Sequence, residues 1–143
     1  MAAAVDARER QRRLYAAEEV ALTGVGRDFR HLGEVRSYVE ELLASDWWAD
    51  RWPQVDKIAV DRSRSGRFAG YAVNGSSEIR LSELREPVLL HEIAHVVTPG
   101  AGHGVVFLMA FLALVRERLG FHSYGALLAE LRRRDLAAEG DRG

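Results

Sequence analysis

The chain contains no cysteine, which excludes disulfide staples, Cys-ligated zinc ribbons and thiol nucleophiles together. An excess of charge of one sign is also missing. Twenty basic residues stand against 21 acidic ones, so the charge balance gives no reason to expect nucleic acid or a membrane surface as a partner. The longest apolar run, Val105 to Val115, is eleven residues, whereas a bilayer-spanning helix needs roughly 20. The stretch from Met1 to Arg13 mixes alanine with arginine and acid and lacks the apolar core of a secretory signal. These absences lead to the expectation of a cytoplasmic protein with no membrane partner. Proline is scarce, and each of Pro53, Pro87 and Pro99 falls where a helix is expected to start or stop.

What is present fits an ordinary globular protein. A length of 143 residues, nearly half of them hydrophobic, suits a single domain over residues 1–143 that buries its own core. Apolar residues at helical spacing predict helices over Val5 to Leu22 and Gly33 to Ala44. A short turn of helix follows, capped by Ser45 and carrying Trp47, Trp48 and Trp52. At that spacing the tryptophans read as core. Alternation then predicts strands at Val55 to Asp61, Phe68 to Val73 and Glu78 to Ser82, with Asn74-Gly75 as a hairpin turn. Helices return at Pro87 to Val97, His103 to Leu119 and, capped by Ser123, to about Arg134, with a frayed tail from Ala137 to Gly143. The expected class is α+β, with N-terminal helices, a small, mainly antiparallel three-stranded sheet and C-terminal helices.

The segment Val88 to Val97 reads VLLHEIAHVV. A helix that is apolar all round is buried, and its three polar residues then need partners. His91 and His95, four residues apart, share one face and can aim two imidazoles at one point. Glu92 sits about 100° round the helix, beside the metal rather than on it, where a general base belongs. Zinc takes imidazole nitrogens in tetrahedral geometry, and a catalytic site keeps one position open. His103 is the candidate third ligand: Pro99, Gly100 and Gly102 turn the chain out of the first helix, and His103 is expected to start the next one.

These residues resemble a known family. His91-Glu92-x-x-His95, followed by Thr98-Pro99-Gly100-Ala101-Gly102-His103-Gly104 and then Phe107, is similar to the SprT-like zinc metallopeptidase domains. The likeness is closer still to the small actinobacterial HExxH metallohydrolases, and it covers about residues 55–119. Val105 departs from the proline that often follows His-Gly there. The resemblance implies a zincin-like fold, one zinc ion on His91, His95 and His103, and a peptide or protein substrate. SprT-like proteins that act on DNA-bound substrates carry a separate DNA-binding or Cys-zinc module. This chain has no cysteine, so a DNA-linked role is not implied.

The function expected is therefore a zinc-dependent metallohydrolase, a metallopeptidase that uses metal-activated water with Glu92 as the proton acceptor. A zinc-stabilised binding or regulatory domain and a three-His metal-dependent ribonuclease are the alternatives; Glu92 and the neutral charge weigh against the second. Strand Glu78 to Ser82 is a candidate edge for an extended substrate. Tyr71, His122 and Tyr124 qualify as oxyanion donors by residue type only. His31 is expected on a loop. Glu83 and Glu86 are candidates for supporting a ligand His, or for offsetting the helix dipole.

Overall fold

The computed structural model describes residues 6–73 and 75–136. The expected starting residue Val5, the turn residue Asn74 and the tail Ala137 to Gly143 lie outside the described residues. The class is α+β: six helices and a three-stranded sheet among the described residues. They fall into two compact units, one from Arg27 to Pro99 and one made of the chain up to Gly26 together with the chain from Gly100 onward.

The unit from Arg27 to Pro99 holds the sheet. Helix α2 (Leu32–Leu43) buries Val35, Tyr38, Val39 and Leu42, the face its apolar spacing predicts. His31 caps it from the preceding loop, its Nδ1 accepting the Glu34 N–H at 3.3 Å. Ser45 caps α3 (Asp46–Arg51) as expected. Trp48 is the core tryptophan, 2% exposed, and its indole N–H donates to the Val55 carbonyl at 2.8 Å. Trp47 and Trp52 are half-buried.

The three strands appear where alternation put them: β1 (Ala59–Arg62), β2 (Gly70–Ala72) and β3 (Glu78–Leu81). Their arrangement differs from expectation. The order is β1-β3-β2, with β3 antiparallel to β2 but parallel to β1, so the sheet is mixed rather than mainly antiparallel. Strand β3 therefore pairs on both sides and cannot be the open edge for a substrate. The cause lies in its side chains. Ile79 and Leu81 are both fully buried, while β1 buries only Val60 and β2 buries none. The strand with two buried residues takes the centre, where both neighbours cover it.

Helix α4 (Glu86–Val97) packs on β2 and β3 and is buried along nearly its whole length. The approach is close at Gly70. A Cβ there would stand 2.8 Å from Leu81 Cδ2 and 3.2 Å from both the Arg80 carbonyl and Val88 Cγ1.

The second unit is helical: α1 (Ala7–Leu22), α5 (Val105–Leu119) and α6 (Phe121–Arg133), with α6 packed on both others. Leu14, Phe107, Phe111, Leu114, Leu127 and Leu131 form its core. Two expected boundaries move. Helix α5 starts at Val105, not His103, because Gly104 is extended (φ −75°, ψ −173°) and Gly102 has positive φ. Helix α6 starts at Phe121, so Ser123 is a buried residue inside it rather than its cap. Gly120, at φ 98°, ends α5 and begins α6 in one residue, a conformation side chains avoid. Among the described residues no helix is long and apolar enough to cross a membrane.

Gly70→Ala is expected to cost about 1–3 kcal/mol of stability by overpacking against Leu81 and the Arg80 carbonyl. Urea denaturation followed by circular dichroism measures it; an unchanged midpoint would show that the approach of α4 to the sheet can relax.

Candidate metal centre

Helix α4 contains the densest run of chemistry in the chain. His91 and Glu92 are 4% and 6% exposed, His95 is half-buried, and the residues around them are Leu89, Leu90, Ile93, Ala94, Val96 and Val97. The apolar neighbours bury the helix, since leucine, isoleucine, alanine and valine at every remaining position from Val88 to Val97 leave it no polar face. Pro87 lies in its first turn, where the missing N–H costs nothing. The C-terminal end is set by Thr98, whose hydroxyl donates to the Ala94 carbonyl at 2.7 Å, followed by Pro99.

The i, i+4 spacing does what helix geometry requires. The His91 and His95 rings are 5.0 Å apart by centroid, inclined at 64°. Glu92 follows His91 directly, about 100° round the axis.

The N-terminal end of α4 is pinned by a buried carboxylate. Glu86, 4% exposed, accepts the Arg27 N–H at 3.0 Å on Oε1 and the Tyr38 hydroxyl on Oε2. Its own N–H donates to the Arg27 carbonyl at 2.9 Å, and Phe29 N–H to the Leu84 carbonyl at 2.7 Å. Residues 27–29 thus run alongside the entry to α4, and Tyr38 ties that entry to α2. Glu86 serves this junction and also suits the positive end of the helix dipole. Glu83 is half-exposed and pairs with Arg85 at 3.6 Å.

His103 lies in the turn ahead of α5, closed by the Gly104 N–H on the Ala101 carbonyl at 3.1 Å. Its ring meets Phe107 edge-on at 5.1 Å and Tyr15 at 6.2 Å. The Arg10 guanidinium donates from Nε to its carbonyl at 2.5 Å. His91, His95 and His103 each offer one ligand nitrogen, and these atoms lie within 4.8 Å of one another, a group that could hold a metal ion. Three imidazoles are a donor set that suits zinc.

The residues proposed by type alone sit elsewhere in their elements. Tyr71 is exposed on β2 and His122 on α6, while Tyr124 lies against Phe121 at 5.9 Å and under the Arg116 guanidinium. Sequence reasoning missed Arg10 and Tyr15. Arg10 and His103 are 93 positions apart, and an arginine on a charged helix face carries no mark of a tertiary partner. No family model matches the chain, and neither curated proteins nor solved structures gave a match.

Tyr38→Phe removes one hydrogen bond from the buried Glu86 carboxylate and is expected to cost about 1.5–3 kcal/mol. Thermal unfolding of the variant beside the unaltered protein checks this, and a midpoint within error of the parent would remove the junction from the account of α4.

Proposed function

We propose that the chain is a zinc-dependent metallohydrolase, and more narrowly a metallopeptidase acting on peptide or protein substrates in the cytoplasm. The observation that carries the reading is the group of His91, His95 and His103 with its ligand atoms within 4.8 Å, together with the buried Glu92 next to His91 on α4. Two further considerations support it. The order of residues from His91 to Phe107 resembles that of SprT-like and small actinobacterial HExxH metallohydrolases. The order of elements, a small sheet, then α4, then a turn bearing His103, is consistent with a zincin-like fold.

His91, His95 and His103 would hold one zinc ion. Bound there, zinc supplies Lewis acidity toward a carbonyl and acidifies water toward neutral pH. The chain's own part falls to Glu92. Its carboxylate oxygens take a proton from the attacking water and return it to the departing amine. Its burial, at 6% exposed, limits the access of bulk water to the carboxylate and strengthens its electrostatic interactions.

Glu92→Gln preserves shape and removes the base. It is expected to keep zinc at the parent's stoichiometry and to lower hydrolysis of a denatured protein by about 100-fold or more. His95→Ala is expected to lose both zinc and activity. Zinc content by elemental analysis, with peptide release as the activity readout, gives both numbers. Equal activity in Glu92→Gln would refute the mechanism. Zinc bound at parent level with no hydrolysis of protein in any form would point to the metal-stabilised binding domain, and cleavage of RNA that Glu92→Gln leaves intact would point to a nuclease.

A further inference from the structure

We propose that α1 is a positioning element for the third metal ligand, with Arg10 holding the main chain of His103 and Tyr15 bearing on its ring. The inference rests on the reading of His103 as a ligand.

His91 and His95 need no such device, because a buried helix already fixes their main chain. His103 has no helix beneath it. Its turn follows Gly100 and Gly102, at φ 79° and 58°, and precedes the extended Gly104. Glycine at these positions permits the bend but leaves a wide range of backbone states, which a ligand must lose on binding metal. One guanidinium narrows that range. Arg10 Nε donates to the His103 carbonyl at 2.5 Å while Nη2 donates to the Leu136 carbonyl at 3.1 Å, so a single planar fork links the turn to the backbone just past α6. Both bonds carry the strength of a charged donor. One turn along α1, Arg13 Nη1 donates to the Arg134 carbonyl at 3.2 Å, so the same helix grips the end of α6 twice.

The ring is flanked as well. Tyr15 meets it at 70° and Phe107 at 84°, both edge-on. Tyr15 from α1 and Phe107 from α5 thereby limit how the imidazole turns, and Arg10 limits where its backbone lies. Groups that orient a ligand in this way carry a substantial part of metal affinity although they never touch the ion.

The test uses the full chain and zinc itself, with affinity read by competition against a chelator. A metal-independent readout, amide hydrogen exchange at Gly104 and Leu108 in the zinc-free protein, runs beside it. Arg10→Ala is expected to lose about tenfold or more in zinc affinity and to speed exchange at Gly104. Arg10→Lys, which keeps one charged donor but not the fork, recovers part of the loss. Tyr15→Ala, at a position 46% exposed, folds normally and loses less than Arg10→Ala. Arg12→Ala, an exposed neighbour on α1 paired with Glu9, serves as the control and leaves both readouts at parent level. If Arg10→Ala does not fold, Tyr15→Ala decides. Arg10→Ala and Tyr15→Ala that both match Arg12→Ala in affinity and exchange would overturn the proposal. An unaltered chain that binds no zinc refutes the metal reading, and faster exchange at Gly104 in Arg10→Ala alone then still upholds the positioning.

Discussion

The constraint on which the structure turns is the burial of ionisable side chains in α4. Leucine, isoleucine, alanine and valine leave that helix no aqueous side, so each polar group it carries must meet protein or a ligand. Glu86 meets the Arg27 N–H and the Tyr38 hydroxyl, which ties α4 to α2 and to residues 27–29. The sheet closes over the helix at Gly70, where no side chain would fit without displacing Leu81. Ile79 and Leu81 draw β3 to the centre beneath the same helix. Sheet order, the glycine and the buried carboxylate are three consequences of placing one apolar helix with polar residues inside the fold.

Much of this was legible in the sequence where the signal is local. Ser45 caps α3 because its hydroxyl reaches an N–H three residues on, an interaction that a short stretch of sequence contains in full. Pro87, the i, i+4 histidines and the apolar spacing of α2 are of the same kind. Strand pairing is not. Alternation located β1, β2 and β3 within a few residues, but three successive alternating runs with a turn between the last two are read by default as a meander. The parallel β1–β3 pair depends on which strand buries most, a property of the assembled core. Boundaries failed where glycine acts through its dihedral angles. Gly120 turns the chain between α5 and α6 without any capping side chain, so Ser123 offered a cap that the backbone did not need.

The candidate site divides along the same line. Glu92 and the two histidines of α4 follow from helix periodicity alone, and any regular helix would present them similarly. His103 is a candidate from its place after a glycine-rich turn, and the group it forms with the other two could hold a metal ion. What the sequence could not reveal is how that turn is held. Arg10 and Tyr15 stand on a helix whose exposed face reads as ordinary solvated charge, and only folding places them against His103.

The proposed metal centre would join two kinds of support. His91 and His95 belong to a buried helix, which fixes their backbone before any ion arrives. His103 sits on a glycine-bearing turn bonded by Arg10, which is far away in sequence. The turn is closed by the Gly104 N–H on the Ala101 carbonyl. Affinity for zinc would then depend less on the five-residue motif, which is generic, than on how completely the turn is ordered beforehand, because every backbone state left open must be lost on binding. If the proposed site holds zinc, its affinity would then reside in α1 as much as in α4, and the stretch of the chain with the least recognisable sequence would set how well the most recognisable one works.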